Sequence, residues 1–414
     1  MSVAGVDLLL RSARLPDRDD LVDIAIAGER ILAVDPVSRA ARETIELDGR
    51  LVTPGLVESH IHLDKALLTD RVTVSAGTLE EAIRVTGQAK RTFTVEDIAS
   101  RARRVLDLAI RAGTTAMRSH VEVDPIVGLA GMDAMLGVRA EYASAIDLQL
   151  CAFAQEGILN APGTEGLLRR ALSMGADVVG GCPYNDSDGV EHIRVVFGLA
   201  TAFGVDADFH VDFADEPEHL HVREIAAQTI RAGWQGRVTV GHLTELAAVP
   251  GYRQEEIVAE IAGAGLGVIC LPATDLYLMG RRDELNVRRG LTPIKRLLAA
   301  GVPVALASNN VRNPFTPVGT ADLAHMAFLA AVAAHMGTPT DLRTLLTTIT
   351  TQPARLLRLP EYGLTPGSRA DLVVWDCARA EEAVTTLPTR ILVVKRGRVT
   401  VEARHQVLDR WRSP

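Results

Sequence analysis

The chain has 414 residues, 47% of them hydrophobic, and a formal net charge of -8. That length holds one barrel-sized domain plus a smaller one, or two ordinary domains, with apolar content for a substantial core. The negative balance argues against a nucleic-acid or anionic-membrane partner, since both need a basic patch. Four cysteines (Cys151, Cys182, Cys270 and Cys377) are dispersed with no CxxC pair. Neither a disulfide framework nor a thiolate zinc site is expected, and a reducing cytoplasm is the simplest setting. The apolar start, Met1 to Leu10, carries no basic n-region or cleavage site. The uncharged stretch Ile261 to Ala273 is too short to cross a bilayer. The expectation is a soluble intracellular protein.

Both ends read as β structure. Short strand-like runs start at Val6, Leu21 and Arg30, with turn residues such as Gly28 between them. Ala370 to Asp376, Ile391 to Lys395 and Arg398 to Val401 repeat the pattern at the other end. Neither end alone offers much core, so the two are expected to pair as one small β-sandwich, residues 1–54 with 362–414. Between them, residues 55–361 alternate strand and helix. Strands are predicted at Gly55–His62, Thr114–Val121, Asp147–Ala154, Ala176–Cys182, Val205–Val211, Arg237–His242, Gly265–Leu271 and Val302–Ser308. Thr94-Val-Glu-Asp opens a helix with Ile98, Ala102, Val105 and Ala109 on one face, and Gly113 closes it. Eight strands alternating with helices favour an α/β fold of the (β/α)8 TIM-barrel type over a doubly wound sheet.

Histidines gather at the ends of these strands. His60 and His62 end the first, His120 the second, His210 the fifth and His242 the sixth. Side chains two apart on a strand share a face, so His60 and His62 can converge on one metal ion. In a barrel all those ends meet at the face where active sites are built. One histidine there is ordinarily structural; a set that begins with an HxH pair points to a metal centre. His192, His325, His335 and His405 fall on helices or tails and carry no expected role. His219 and His221 lie in a polar stretch that reads as a solvated loop.

The run Pro54-Gly-Leu-Val-Glu-Ser-His-Ile-His-Leu-Asp-Lys65, with Gly367-Ser-Arg-Ala-Asp-Leu-Val-Val374, resembles the amidohydrolase superfamily. Ala154-Gln-Glu-Gly-Ile-Leu159, Gly175-Ala-Asp-Val-Val-Gly180, Arg288 to Lys295 and Asn313 to Ala321 are similar to its cytosine-deaminase-like branch, which includes isopropylammelide hydrolases. The resemblance covers essentially the whole chain. It implies that His60, His62 and His210 hold one divalent ion (zinc, iron or manganese), and that His242 contacts substrate or the attacking water. It also implies that Gln155 reads the amide edge of a small cyclic substrate, with metal-activated hydroxide attacking a trigonal carbon.

Two positions depart from the family pattern. Its strand-eight aspartate corresponds to Asn309, and its glutamate three residues after the strand-five histidine corresponds to Phe213. A carboxamide offers a neutral oxygen to a metal but takes up no proton near neutral pH. Phe213 removes the usual acid for a ring nitrogen or leaving group. Three consequences stay open: other groups (His242, Asp212, Asp215, Glu122 or Lys65) do the proton work, an activated ring such as a lactone needs less of it, or binding is kept and hydrolysis lost. The expectation is a catabolic metal-dependent hydrolase of carbon–nitrogen bonds. Its catalytic candidates are His242, Asn309 and Asp212, and its substrate contacts Lys65, Gln155, His120, Asn310 and Arg312, the last suited to an anion. Glu122, two residues after His120, serves equally as an orienting or a catalytic carboxylate. A homo-oligomer is compatible with the sequence.

Overall fold

The computed structural model describes residues 5–36 and 40–404, so His405 lies outside the described residues. The chain divides into two compact units, Leu56–Pro360 and a second built from both ends, to Gly55 and from Glu361.

The terminal unit is a sandwich of two four-stranded sheets. One holds Val6–Arg14, Leu21–Ala27, Arg30–Val34 and Ala41–Glu46; the other Val52–Pro54, Leu372–Trp375, Arg390–Lys395 and Arg398–Glu402. Leu8, Leu10, Ile24 and Ile26 of the first sheet share a core with Val52, Leu372, Val374 and Val394 of the second. Ala41–Glu46 was not anticipated. It is a charged, mostly exposed strand joined in parallel to Val6–Arg14, and its Arg-Glu-Thr pattern gives no apolar signal. The apolar run ending in the HxH pair is not one strand. Val52–Pro54 pairs antiparallel with Leu372–Val374, and a new strand starts at Leu56.

The larger unit is a parallel eight-stranded barrel in sequential strand order. Its strands are Leu56–Ile61, Thr114–Glu122, Asp147–Ala154, Val178–Gly181, Asp206–Val211, Val238–His242, Gly267–Cys270 and Val304–Leu306. Strands buried on both faces read as continuous apolar runs, which is why all eight fall where the sequence places them. The helix at Val95–Arg111 starts at Thr94, whose side chain accepts from the Asp97 N–H. Gly113, at φ +99°, ends it in a conformation that favours glycine.

Closure of the barrel joins the first and eighth strands unevenly. At the lower end they are bridged by the segment between the helices Pro339–Thr347 and Thr351–Leu356: the Val57 N–H donates to the Ile349 carbonyl (3.0 Å) and the Leu306 N–H to the Thr348 carbonyl (2.9 Å). At the upper end they meet directly. The His62 N–H donates to the Asn309 carbonyl and the Asn309 N–H to the His60 carbonyl, both at 2.8 Å.

The short fourth strand is squeezed between its neighbours. A Cβ on Gly180 would lie 1.8 Å from the Asp208 carbonyl oxygen, and one on Gly181 2.2 Å from His192 Nε2. Gly180→Ala is therefore expected to cost about 1–3 kcal/mol of stability through overpacking. Urea unfolding measures it, and a wild-type midpoint would contradict this packing.

Candidate active site

His60, His62, His210 and His242 project from the upper strand ends and are almost fully buried. His60 Nε2 and His210 Nε2 are 2.6 Å apart. Two neutral ring nitrogens at that separation are in hydrogen-bond contact, one donating and the other accepting. Burial first, then the neighbouring imidazoles and, at His62, the Lys65 ammonium ahead of them, hold the pKa of His60, His62 and His210 well below the ordinary histidine value. All three are neutral, the form that ligates metal. Glycine makes the room: a Cβ on Gly241 would stand 3.0 Å from the His60 ring.

His120 belongs to this cluster and not to a substrate wall. It stacks on His60 with ring centroids 3.9 Å apart, and ring nitrogens of His60, His120 and His210 lie within 4.8 Å of one another. Its Nε2 is 3.3 Å from Asp208 Oδ1, yet off the hydrogen-bond axis, and neither of its ring nitrogens has a hydrogen-bond partner among the described residues. The Nδ1 atoms of His60 and His62 and Oδ1 of Asn309 are likewise buried without partners. This concentration of unsatisfied donor atoms at one strand-end face fits a divalent ion with nitrogen and oxygen ligands.

A small cavity opens above the cluster. His62, Lys65, Gln155, His210, His242, Asn309 and Asn310 line it, with Leu79, Ile83, Phe213 and Phe315 as apolar walls. No Asp or Glu lines it among the described residues. The Phe213 ring lies 4.0 Å from that of His242, centroid to centroid. Two residues expected here are elsewhere. Asp212 turns away, its carboxylate accepting the N–H groups of His221 (2.7 Å) and Val222 (3.1 Å) at the start of the helix Val222–Ala232. Arg312 does not line the cavity; its carbonyl accepts the N–H groups of Leu68 and Thr69 and fixes the loop after the HxH pair.

Lys65 is held by a buried ionic network. Its Nζ donates to Glu122 Oε1 at 2.6 Å and Gln155 Oε1 at 3.0 Å. Glu122 also meets Lys90 Nζ (3.4 Å), which donates to Asp124 at 2.7 Å and Glu156 at 2.6 Å. Burial disfavours the Glu122 charge, but Lys65 and Lys90 outweigh it and lower its pKa to about 2. Asp64 completes the frame by accepting the Glu122 N–H at 2.7 Å. Sequence reasoning missed Lys90, Asp124 and Glu156, whose partners lie on separate loops and leave no spacing signal. It also missed Asp275, which accepts from His242 Nδ1 at 2.8 Å.

Removing Lys90 would leave three carboxylates around one lost cation. Lys90→Met is expected to destabilise the fold by about 3–5 kcal/mol, as breaking a buried ion pair does. Thermal and urea unfolding check this; an unchanged stability would show that water replaces the ammonium at no cost.

The model of the Amidohydrolase family matches residues 43–401. The chain is 29% identical to N-isopropylammelide isopropyl amidohydrolase of Pseudomonas sp. (strain ADP) over 410 residues, covering 96% of this chain and 97% of that protein. It is 30% identical to pterin deaminase of Rhizobium rhizogenes over 387 residues, 91% of this chain and 87% of the relative. Among solved structures, 5-methylcytosine deaminase from Klebsiella pneumoniae liganded with 5-fluorocytosine superposes with a TM-score of 0.94 at 30% identity, covering 98% of this chain and 100% of that one. With its barrel, its strand-end histidines and a family match over most of its length, the chain belongs to the amidohydrolase family.

Proposed function

We propose that the chain hydrolyses a carbon–nitrogen bond of a small cyclic amide or amidine, using one divalent ion held by His60, His62 and His210. The observation that carries this reading is the convergence of neutral, buried imidazoles with unpartnered nitrogens beneath a small cavity. Zinc, iron or manganese suits such a donor set. When bound, the ion supplies Lewis acidity and lowers the pKa of water, which no side chain here can do.

The remaining residues have distinct tasks in this reading. His242, steadied at Nδ1 by Asp275, presents Nε2 to the cavity and carries the proton there. Asn309 stands beside the ion through the backbone bonds that close the barrel. Lys65 and Gln155 orient the ring, while Phe213 and Phe315 exclude water from its faces. The absence of any carboxylate from the cavity wall among the described residues favours a second reading, ring opening of an activated substrate such as a lactone.

Elemental analysis of protein purified without added metal is expected to show about one equivalent of transition metal per chain. His60→Ala and His210→Ala should lose both metal and turnover of cyclic amides. Wild-type metal content in both variants, or a native protein that takes up no zinc, iron or manganese, would overturn the assignment.

Asn309→Asp tests the chemistry separately. Residue 309 has φ +56°, a conformation that Asp and Asn both tolerate. The variant is expected to raise deamination of cytosine-like rings by about tenfold or more, because a proton acceptor returns to the site. No change in any activity would show that residue 309 takes no part in proton transfer.

A further inference from the structure

We infer that the substrate presents oxygen acceptors along the ring edge remote from the reacting carbon, and that this edge of the cavity selects against amidines. The inference rests on the reading of the cavity above as the substrate site. It comes from asking which hydrogen-bonding capacity of each polar wall residue is already spent.

Lys65 has three N–H donors. Two are spent on Glu122 and Gln155, and the third is left on the cavity side, where Nζ sits 4.9 Å from the centre of the Phe315 ring. Because Lys65 takes the Gln155 oxygen, the Gln155 amide orientation is fixed. Its Nε2 then has only Cys182 Sγ, at 3.3 Å, a weak acceptor.

A second chain of bonds fixes Asn310. Asn313 Oδ1 accepts the N–H groups of Phe315 (3.0 Å) and Thr316 (3.2 Å), so its Nδ2 must face the other way. That nitrogen donates to Asn310 Oδ1 at 2.7 Å. The Asn310 oxygen is thereby used, and its NH2 group has no partner among the described residues. Tyr184 adds a hydroxyl whose oxygen faces the Cys182 thiol at 3.8 Å and whose own proton is unspent.

The wall from Lys65 through Gln155 and Tyr184 to Asn310 is thus a row of donors with no carboxylate opposite it. Of the other polar lining atoms, Thr274 Oγ1 is engaged with Thr316 Oγ1 at 2.6 Å, while Asn309 Oδ1 and His242 Nε2 sit with the histidine cluster, where the reacting carbon belongs. An amidine or amino edge against the donor row sets N–H against N–H and leaves buried donors unsatisfied. Carbonyl or enolate oxygens satisfy them. The matching substrate class is an oxo-rich ring, a cyclic imide or acylurea, with its one cleavable bond turned to the histidines.

Isothermal titration of the purified wild-type protein tests this with two pairs of ligands, cyanuric acid against melamine and uracil against cytosine. Each pair shares a ring and exchanges oxygen for amino groups. The oxo member is expected to bind at least about tenfold more tightly in each pair. Asn310→Asp, which replaces a free donor by an acceptor, should narrow or reverse that ratio, whereas a merely structural role would weaken both members alike. Lys65→Met should weaken the oxo members selectively if it folds, and Asn310→Asp decides the matter if it does not. Amino members binding as tightly as oxo members, in a protein with its normal metal content, would overturn this inference alone. Failure of every ring to bind would overturn it together with the cavity's assignment as the substrate site.

Discussion

Direct pairing of the first and eighth strands at the top of the barrel is the constraint on which the site depends. Two reciprocal backbone bonds tie residues 60 and 62 to residue 309, each at 2.8 Å. They place the HxH pair and Asn309 side by side whatever their side chains are. Below them the same two strands part, and the buried Glu58 carboxylate bridges the gap by accepting the N–H groups of Ser308 and His60. Burial outweighs those bonds and raises the Glu58 pKa to about 7. The chemistry at position 309 can therefore change without disturbing the ladder that positions it.

A second level of order comes from charge. Lys65, Lys90, Glu122 and Asp124 are all buried, so each must be paired or pay a heavy desolvation penalty. Their network links loops after the first, second and third strands. Arg101, from the helix after the first strand, donates to the Asp64 (2.7 Å) and Ala66 (3.0 Å) carbonyls on either side of Lys65. The Lys65 ammonium thus reaches the cavity from a fixed base. Such a network contributes little net stability over a hydrophobic replacement, but it fixes one donor to within hydrogen-bond tolerance, which substrate recognition needs.

What was legible in the sequence follows from this division. The eight strands and the histidines at their ends could be read because doubly buried strands write apolar runs and because the barrel collects strand ends at one face. The division at Gly55 was legible too, although Val52–Pro54 on its other side, equally buried, gave no sign of its pairing with Leu372–Val374. Asp212 was expected in the site as one of several nearby groups able to move a proton; its left-handed φ of +54° takes it off the strand alternation that aims His210 at the cluster. Arg312 sits in a similar conformation, at φ +49°. His120 has the right strand and face, but its ring is screened from the cavity by the other imidazoles. Contacts spanning dozens of residues, such as Lys90 with Glu156 or His242 with Asp275, leave no local trace.

The missing carboxylates and the donor-rich wall describe one chemical situation. Several buried carboxylates surround the site, yet none lines the cavity among the described residues. Glu122 is held ionised by two lysines, Asp212 caps a helix, Glu58 lies beneath His60, and Asp275 reaches the cavity only through His242. In the proposed reading proton traffic falls to His242, against which the Phe213 ring packs at 4.0 Å. A ring with a basic leaving nitrogen would need a second proton carrier. A leaving group conjugated to ring carbonyls needs less protonation, and in the proposed reading those same carbonyls are what Lys65, Gln155 and Asn310 receive. In the proposed reading, Phe213, Asn309 and the orientation of the amides all favour the same property of the substrate, electron withdrawal by oxygen.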